Sequence, residues 1–278
     1  MDTTATIRLG PSRIQDYTLC GHRYYLEHVL KLPRNPKTRS LALIEGATMH
    51  SAIRAMVEAE HRGAPFSARD LAEHVDGLHA RELADGFRVD DPLASLETVK
   101  ERSTQRAKYM AEAAQGAMSQ WMPVALEDCE REFEFSLPGE SGEAGIQFVW
   151  RLDTYSREKG ELWEWKGSTR ASDLDDLPLQ DALYARGLEV SGMPLRAIVH
   201  ATVVCPENAG REARLHVQRF DPPTPAQYAK HFGRIGAVAK AIALGAFVPA
   251  SPSGPSGWVC TPKYCMRWNE CRFGTGSL

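Results

Sequence analysis

Asp153, Glu164 and Lys166 fall within one stretch, Phe148–Lys166, which reads FVWRLDTYSREKGELWEWK. Two carboxylates and an ammonium in such proximity suit a hard divalent cation with a water beside it, because Mg²⁺ and Mn²⁺ prefer oxygen ligands. The hydrophobic pattern predicts two short strands, Gln147–Tyr155 and Glu161–Lys166, joined by Arg157-Glu158-Lys159-Gly160. Gly160 suits the last position of a type I turn, which makes the unit a tight hairpin. Pairing Ser156 with Glu161 sets Asp153 directly opposite Glu164. Side chains alternate along a strand, so Leu162, Glu164 and Lys166 share one face while Trp163 and Trp165 take the other. Opposed carboxylates repel and weaken a sheet, unless a cation sits between them. The plainer reading is a solvated hairpin face of mixed charge, since D…ExK matches recur by chance.

The second set of chemical groups is the cysteines. Cys260, Cys265 and Cys271 form C-x4-C-x5-C after the Pro/Gly/Ser-rich tether Pro249–Gly257. This spacing is no packing pattern for a helix or a strand. A tetrahedral thiolate site needs a fourth ligand, and Cys20 is the best candidate. Zinc and a [4Fe–4S] cluster both accept four thiolates, and the spacing alone does not separate them. Cys129 and Cys205 fall in predicted strands and read as small buried hydrophobes.

The elements that must position these groups follow in chain order. Ser12 caps a predicted helix over Arg13–Leu30, ended by Pro33 and Pro36, with Cys20 in its middle. A second helix, Glu45–His61, buries Met49, Ile53, Met56 and Val57, with His50 beside that stripe and Gly46 one turn earlier. A histidine there is by itself a packed or surface residue. Ser67 and Asp70 form a capping box for a helix to about Asp85. Asp91-Pro92 starts a long helix running to Trp121, before Pro123.

Strands then predominate: Asp128–Leu137, the hairpin, Leu195–Val204, and Glu212–Phe220 as an antiparallel neighbour across the loop Pro206–Arg211. Between them a helix over Asp173–Val190 carries Gln180 and Tyr184 on one face. A last helix starts at Thr224-Pro225 and ends near Gly245. Three segments result: a helical region over 1–125 with Cys20 and His50, a mixed core over 126–248, and a cysteine-rich tail over 249–278 packed with the N-terminal helix.

Length and composition bound the rest. The 278 residues, 43% hydrophobic and 25% charged, can bury a substantial core. No apolar run reaches the length of a membrane span and MDTTATIRLG is no signal peptide, so a cytoplasmic location is the expectation. The net charge is −3, unevenly placed. Residues 1–40 hold seven Lys/Arg against three acids, and residues 251–278 hold three against one. Basic ends around an acidic middle fit a nucleic-acid path beside a carboxylate metal site. Solvated tails fit the same numbers.

Taken in order, Cys20, G-x3-H (Gly46–His50), Asp153, E-x-K (Glu164–Lys166), Q-x3-Y (Gln180–Tyr184) and the terminal cysteines resemble the PD-(D/E)XK nuclease superfamily. The resemblance spans about residues 11–272 and is nearest the RecB-like branch, which includes CRISPR-associated and phage exonucleases bearing a [4Fe–4S] cluster. It implies an α/β fold with a restriction-endonuclease-like core, a mixed central sheet flanked by helices. It further implies that His50, Asp153, Glu164 and the Trp165 backbone carbonyl hold Mg²⁺ or Mn²⁺. Lys166 would position or activate water, and Gln180 and Tyr184 would arrange the lysine, the phosphate or the displaced strand. Cys20, Cys260, Cys265 and Cys271 would carry the cluster, with zinc the lesser alternative.

The implied function is a metal-dependent DNA exonuclease on single-stranded ends, with endonuclease activity compatible. Recombination, repair or CRISPR adaptation would be its setting, and a helicase or integrase partner or an oligomer is compatible too. The competing readings are a non-catalytic nucleic-acid or partner-binding module that keeps the fold and cluster, and a zinc-dependent binding protein. Two departures stand out: Trp150-Arg151-Leu152 where the family often has glycine before the aspartate, and x4 rather than x2 in the first tail spacing.

Overall fold

The computed structural model describes residues 7–33, 39–89, 93–137, 145–205 and 213–274. The fold is mixed α/β, with two sheets flanked by helices. The chain forms two compact units, each assembled from separated segments.

One unit comprises Pro36–Glu132 and Arg151–Pro223. Its sheet is ordered β4 (Thr154–Ser156), β5 (Glu161–Ser168), β6 (Ala197–Val204), β7 (Arg214–Phe220). β5 runs antiparallel to β4 and parallel to β6, and β6 antiparallel to β7. Parallel neighbours need a crossover, and α7 (Leu179–Val190) supplies it between β5 and β6.

The predicted register holds, with Ser156 opposite Glu161, Tyr155 opposite Leu162 and Thr154 opposite Trp163. Gly160 closes the turn at φ +65°, a left-handed conformation that costs glycine nothing, and its N–H donates to the Ser156 carbonyl at 2.8 Å.

Trp163 and Trp165 project from β5 into the core of this unit and stack on one another with centroids 5.6 Å apart. The helices that contribute to the same core are α3 (Leu41–His61), α4 (Ala68–Ala84), α5 (Leu96–Gly116) and the short α6 (Met118–Trp121). Met49, Ile53, Met56 and Val57 of α3 are all buried in this cluster, as their helical spacing predicts. The capping box of Ser67 and Asp70 is present.

A chain of buried polar groups ties α3, α4 and α5 together. Thr48 Oγ1 meets His79 Nδ1 at 3.0 Å, His79 Nε2 meets Ser103 Oγ at 3.0 Å, and Ser103 donates to Glu45 at 3.0 Å. Burial holds the His79 imidazole below its usual pKa, so the ring is neutral and its two nitrogens take opposite roles.

The other unit comprises Met1–Asn35, Phe133–Trp150 and Thr224–Leu278. Its sheet is ordered β1 (Ile7–Leu9), β3 (Ile146–Arg151), β2 (Glu132–Leu137), with β1 parallel to β3. Phe148 and Trp150 line the core here, and α8 (Pro225–Ala243) starts at a capping box of Thr224 and Gln227.

Several boundaries differ from the sequence reading. The expected strand Gln147–Tyr155 is two strands, because the chain leaves one sheet after Arg151 and enters the other at Thr154. The expected helix Arg13–Leu30 breaks at Cys20, which is extended at φ −160°. α1 (Pro11–Leu19) precedes it, capped by Gly10 rather than Ser12; α2 (Gly21–Tyr24) and a π-turn over Tyr25–Val29 follow.

The long helix starts after Ser95, which caps it, and stops at Gly116. Leu126–Asp128 is a 3-10 turn, so the strand expected from Asp128 begins at Glu132. The helix expected from Asp173 begins at Leu179, after Pro178. Pro36, Asp91-Pro92, the loop Pro206–Arg211 and Glu212 lie outside the described residues.

The buried polar chain gives a stability prediction. His79→Ala takes a partner from Thr48 and one from Ser103 and opens a void. It is expected to lower unfolding stability by about 2–4 kcal/mol in a urea titration, whereas loss of a surface group costs under about 0.5 kcal/mol.

Candidate active site

Glu164 lies on β5, an interior strand, and is fully buried. Asp153 occupies the bend just before β4, and the β4–β5 register carries it next to Glu164. Its Oδ2 accepts the Trp165 N–H at 2.7 Å, and its charge acts on the neighbouring Glu164 carboxyl. Lys166, two residues along β5, points to the same side and donates to Glu164 Oε1.

From α7, Gln180 donates through Nε2 to Glu164 Oε1 and to the Tyr184 hydroxyl, both at 2.6 Å, while its Oε1 lies 3.4 Å from Lys166 Nζ. From α3, His50 brings Nδ1 to 3.6 Å from Asp153 Oδ1. Six of the side chains singled out by spacing therefore meet in one place: His50, Asp153, Glu164, Lys166, Gln180 and Tyr184.

Burial governs the electrostatics. It pushes the Asp153 carboxyl up to about 7, against the pull of Lys166 and the Trp165 N–H. Glu164 is raised well above the carboxylate range, by burial first and by the Asp153 charge second. Burial opposes the charge on Lys166, yet Glu164 and Asp153 outweigh it and raise the ammonium's pKa. The Tyr184 hydroxyl is raised by burial and by Glu164, so it stays protonated and can donate.

The residues present fit a divalent cation. Glu164 Oε2 is buried and has no hydrogen-bond partner. His50, Asp153 and Glu130 bring ligand atoms within 4.8 Å of one another. Oxygen donors with one imidazole suit Mg²⁺ or Mn²⁺.

Three groups here were missed in the sequence. Glu130 falls inside the expected strand Asp128–Leu137, where nothing marks it; it meets His50 Nδ1 at 3.2 Å. Asp181 is fully buried beside Gln180 and meets His200 Nδ1 at 3.3 Å, and His200 stands opposite Glu164 in the β5–β6 register. An acid inside an apolar helical pattern was the available signal for Asp181. Cys129 and Cys205 are buried as expected, and burial pushes the Cys129 thiol up to about 12.

The four other cysteines line one small cavity in the unit that contains both chain ends, together with Arg23, Leu26, Val259, Trp268 and Phe273. Cys20 caps α2, its sulfur accepting the Arg23 and Ala250 N–H groups at 3.4 Å each. Gly21 lies so close to Val248 that an added Cβ would sit 2.9 Å from its backbone, which explains glycine after that cysteine. Burial and the neighbouring Cys271 and Cys20 raise the Cys260 thiol.

The profile of one nuclease superfamily, PD-(D/E)XK, matches residues 8–272. The chain belongs to that superfamily. No curated protein matches the sequence. Among solved structures, this PD-(D/E)XK chain resembles a candidate exonuclease from Eubacterium rectale at 10% identity and a TM-score of 0.49, over 89% of this chain and 86% of that one. It also resembles SSO0001 at 14% identity and a TM-score of 0.36, over 94% and 96%. PD-(D/E)XK nucleases generally use divalent metals, and the acidic groups for one are present. No helix among the described residues is long and apolar enough to cross a membrane.

The raised carboxyls fix the sign of a pH effect in metal-free protein. A carboxyl whose folded pKa exceeds its unfolded one adds stability in full below its ordinary value, near 3.8 for Asp153, and loses it as pH rises through about 7. Glu164 acts in the same direction. In EDTA, Tm is expected to fall between pH 5 and pH 8, and Asp153→Asn to flatten that fall. A Tm that rises over this range contradicts the assignment.

Proposed function

We propose that this PD-(D/E)XK nuclease is a metal-dependent DNA exonuclease acting on single-stranded ends. The observation that carries the reading is the unpartnered, buried Glu164 Oε2 beside the buried carboxyl of Asp153. Such a pair is costly in a fold unless a cation balances it. His50, Asp153, Glu164 and the Trp165 backbone carbonyl hold Mg²⁺ or Mn²⁺ in this reading. The bound ion polarises the scissile phosphate and acidifies water.

The side chains do the rest. Lys166, fixed between Glu164 Oε1 and Gln180 Oε1, orients a water toward the phosphorus and offsets charge as it attacks. Gln180 holds Glu164 and Tyr184 at set positions, so the carboxylate turns its free oxygen away from the lysine. The protonated Tyr184 hydroxyl can donate to a phosphate oxygen or a displaced base. The basic residues near both chain ends favour a polyanion, and recombination, repair or CRISPR adaptation in a prokaryote or phage is the setting that suits such an enzyme.

The cysteines complete the proposal. Cys20, Cys260, Cys265 and Cys271 would hold a [4Fe–4S] cluster that ties the tail to the N-terminal helices. Among the described residues, the sets whose ligand atoms lie within 4.8 Å of one another include no cysteine. Zinc draws its four thiolates to about 4 Å of one another, so the wider thiol set favours the cluster. Closing a loop of about 250 residues, the cluster would offset much chain entropy and has no need of redox turnover.

Purified anaerobically, the protein is expected to contain iron rather than zinc and to degrade end-labelled single-stranded DNA with Mn²⁺. Lys166→Ala and Asp153→Ala should lower the rate by about 10²–10⁴-fold without unfolding. Variants that cleave as well as the parent would defeat the assignment. Cys265→Ser should reduce iron content and thermal stability together.

A further inference from the structure

Glu130 stands at φ +56°, one of two described non-glycine residues with positive φ. A left-handed glutamate costs about 1–2 kcal/mol, so something must hold it there. Two backbone hydrogen bonds do so. The Glu130 N–H donates to the Asp153 carbonyl at 2.8 Å, and the Leu152 N–H donates to the Arg131 carbonyl at 3.0 Å. The strained residue is therefore clamped to the very segment that carries Asp153.

Its carboxylate divides its two oxygens. Oε1 faces His50 Nδ1 at 3.2 Å, and Oε2 takes the Arg151 Nε at 2.7 Å. Asp153 Oδ1 faces the same His50 nitrogen at 3.6 Å. One imidazole nitrogen carries at most one proton, so it cannot satisfy both carboxylates at once. Glu130, His50 and Asp153 thus surround a point richer in acceptors than in donors, with all three ligand atoms within 4.8 Å. Beside them, the fully buried Glu164 Oε2 lacks any hydrogen-bond partner, and its carboxyl feels the charge of Asp153.

A mere salt bridge to Arg151 does not account for this. The Arg151 side chain is 60% exposed, so this ion pair contributes little, and it engages Oε2 while leaving Oε1 turned toward His50.

We propose that Glu130 is a further ligand of the catalytic cation, joining His50 and Asp153. The inference rests on reading the acidic site as a cation site. Arg151 then acts as a counter-ion that neutralises Glu130 until the cation arrives.

The test is Mn²⁺ binding to the full chain by calorimetry, with Tm checked for each variant. Glu130→Gln preserves shape and removes the charge, and is expected to weaken Mn²⁺ binding by at least about tenfold. Arg151→Ala removes a competing cation and is expected to tighten it by about two- to fivefold. If Asp153→Asn abolishes binding while Glu130→Gln binds within twofold of the parent, Glu130 is not a ligand and the cation site stands. If neither substitution changes binding, the cation site itself is refuted. Should Glu130→Gln fail to fold, unchanged or weaker binding by Arg151→Ala overturns the proposal.

Discussion

Two carboxyl groups are buried side by side, and much of the surrounding unit serves to keep them so. Glu164 has no exposure and Asp153 is 8% exposed. Removing carboxylates from water costs several kcal/mol each unless a proton or a cation compensates. Lys166 and Gln180 compensate one oxygen of Glu164 and leave the other bare. The pair is thus held at a point where protonation and cation binding compete. That competition gives the site its chemistry.

The surrounding fold makes this tension tolerable. β5 is an interior strand, paired on both edges, so Glu164 cannot swing away with a loop. Behind it Trp163 and Trp165 stack, and Trp165 is also fixed by its indole N–H on Thr154 Oγ1 at 3.1 Å and by Trp121 at its edge. Packing on one face therefore fixes chemistry on the other. The cysteine region is built differently. Its thiols come from a helix cap and from a tail whose described residues form only short 3-10 turns, held to the N-terminal segment in part by the buried Arg267 donating to the Leu32 and Pro33 carbonyls at 2.8 Å. A segment with so little regular structure gains most from a cross-link.

The hairpin register, the Ser67–Asp70 capping box, the buried stripe of α3 and the β6–β7 pairing were legible in the sequence, because each follows from a period or a local turn rule. So was the meeting of His50, Asp153, Glu164, Lys166, Gln180 and Tyr184, through an ordered set of short motifs. The break at Cys20 was not, since no local signal marks it; the extended Cys20 turns its sulfur to the Ala250 N–H, distant in sequence. The switch between sheets at Leu152-Asp153 was hidden because apolar alternation continues across it. Glu130 was hidden for a related reason. Its strand-like neighbours suggested pairing, while its left-handed backbone is imposed by hydrogen bonds from a segment distant in sequence.

The most direct measurement is crystallographic: anomalous scattering at the manganese edge from crystals grown with Mn²⁺ above pH 7. The account predicts a peak within about 2.0–2.4 Å of oxygens from both Asp153 and Glu164. Density showing those two carboxyls without a shared ion, and no anomalous peak beside them, would contradict it.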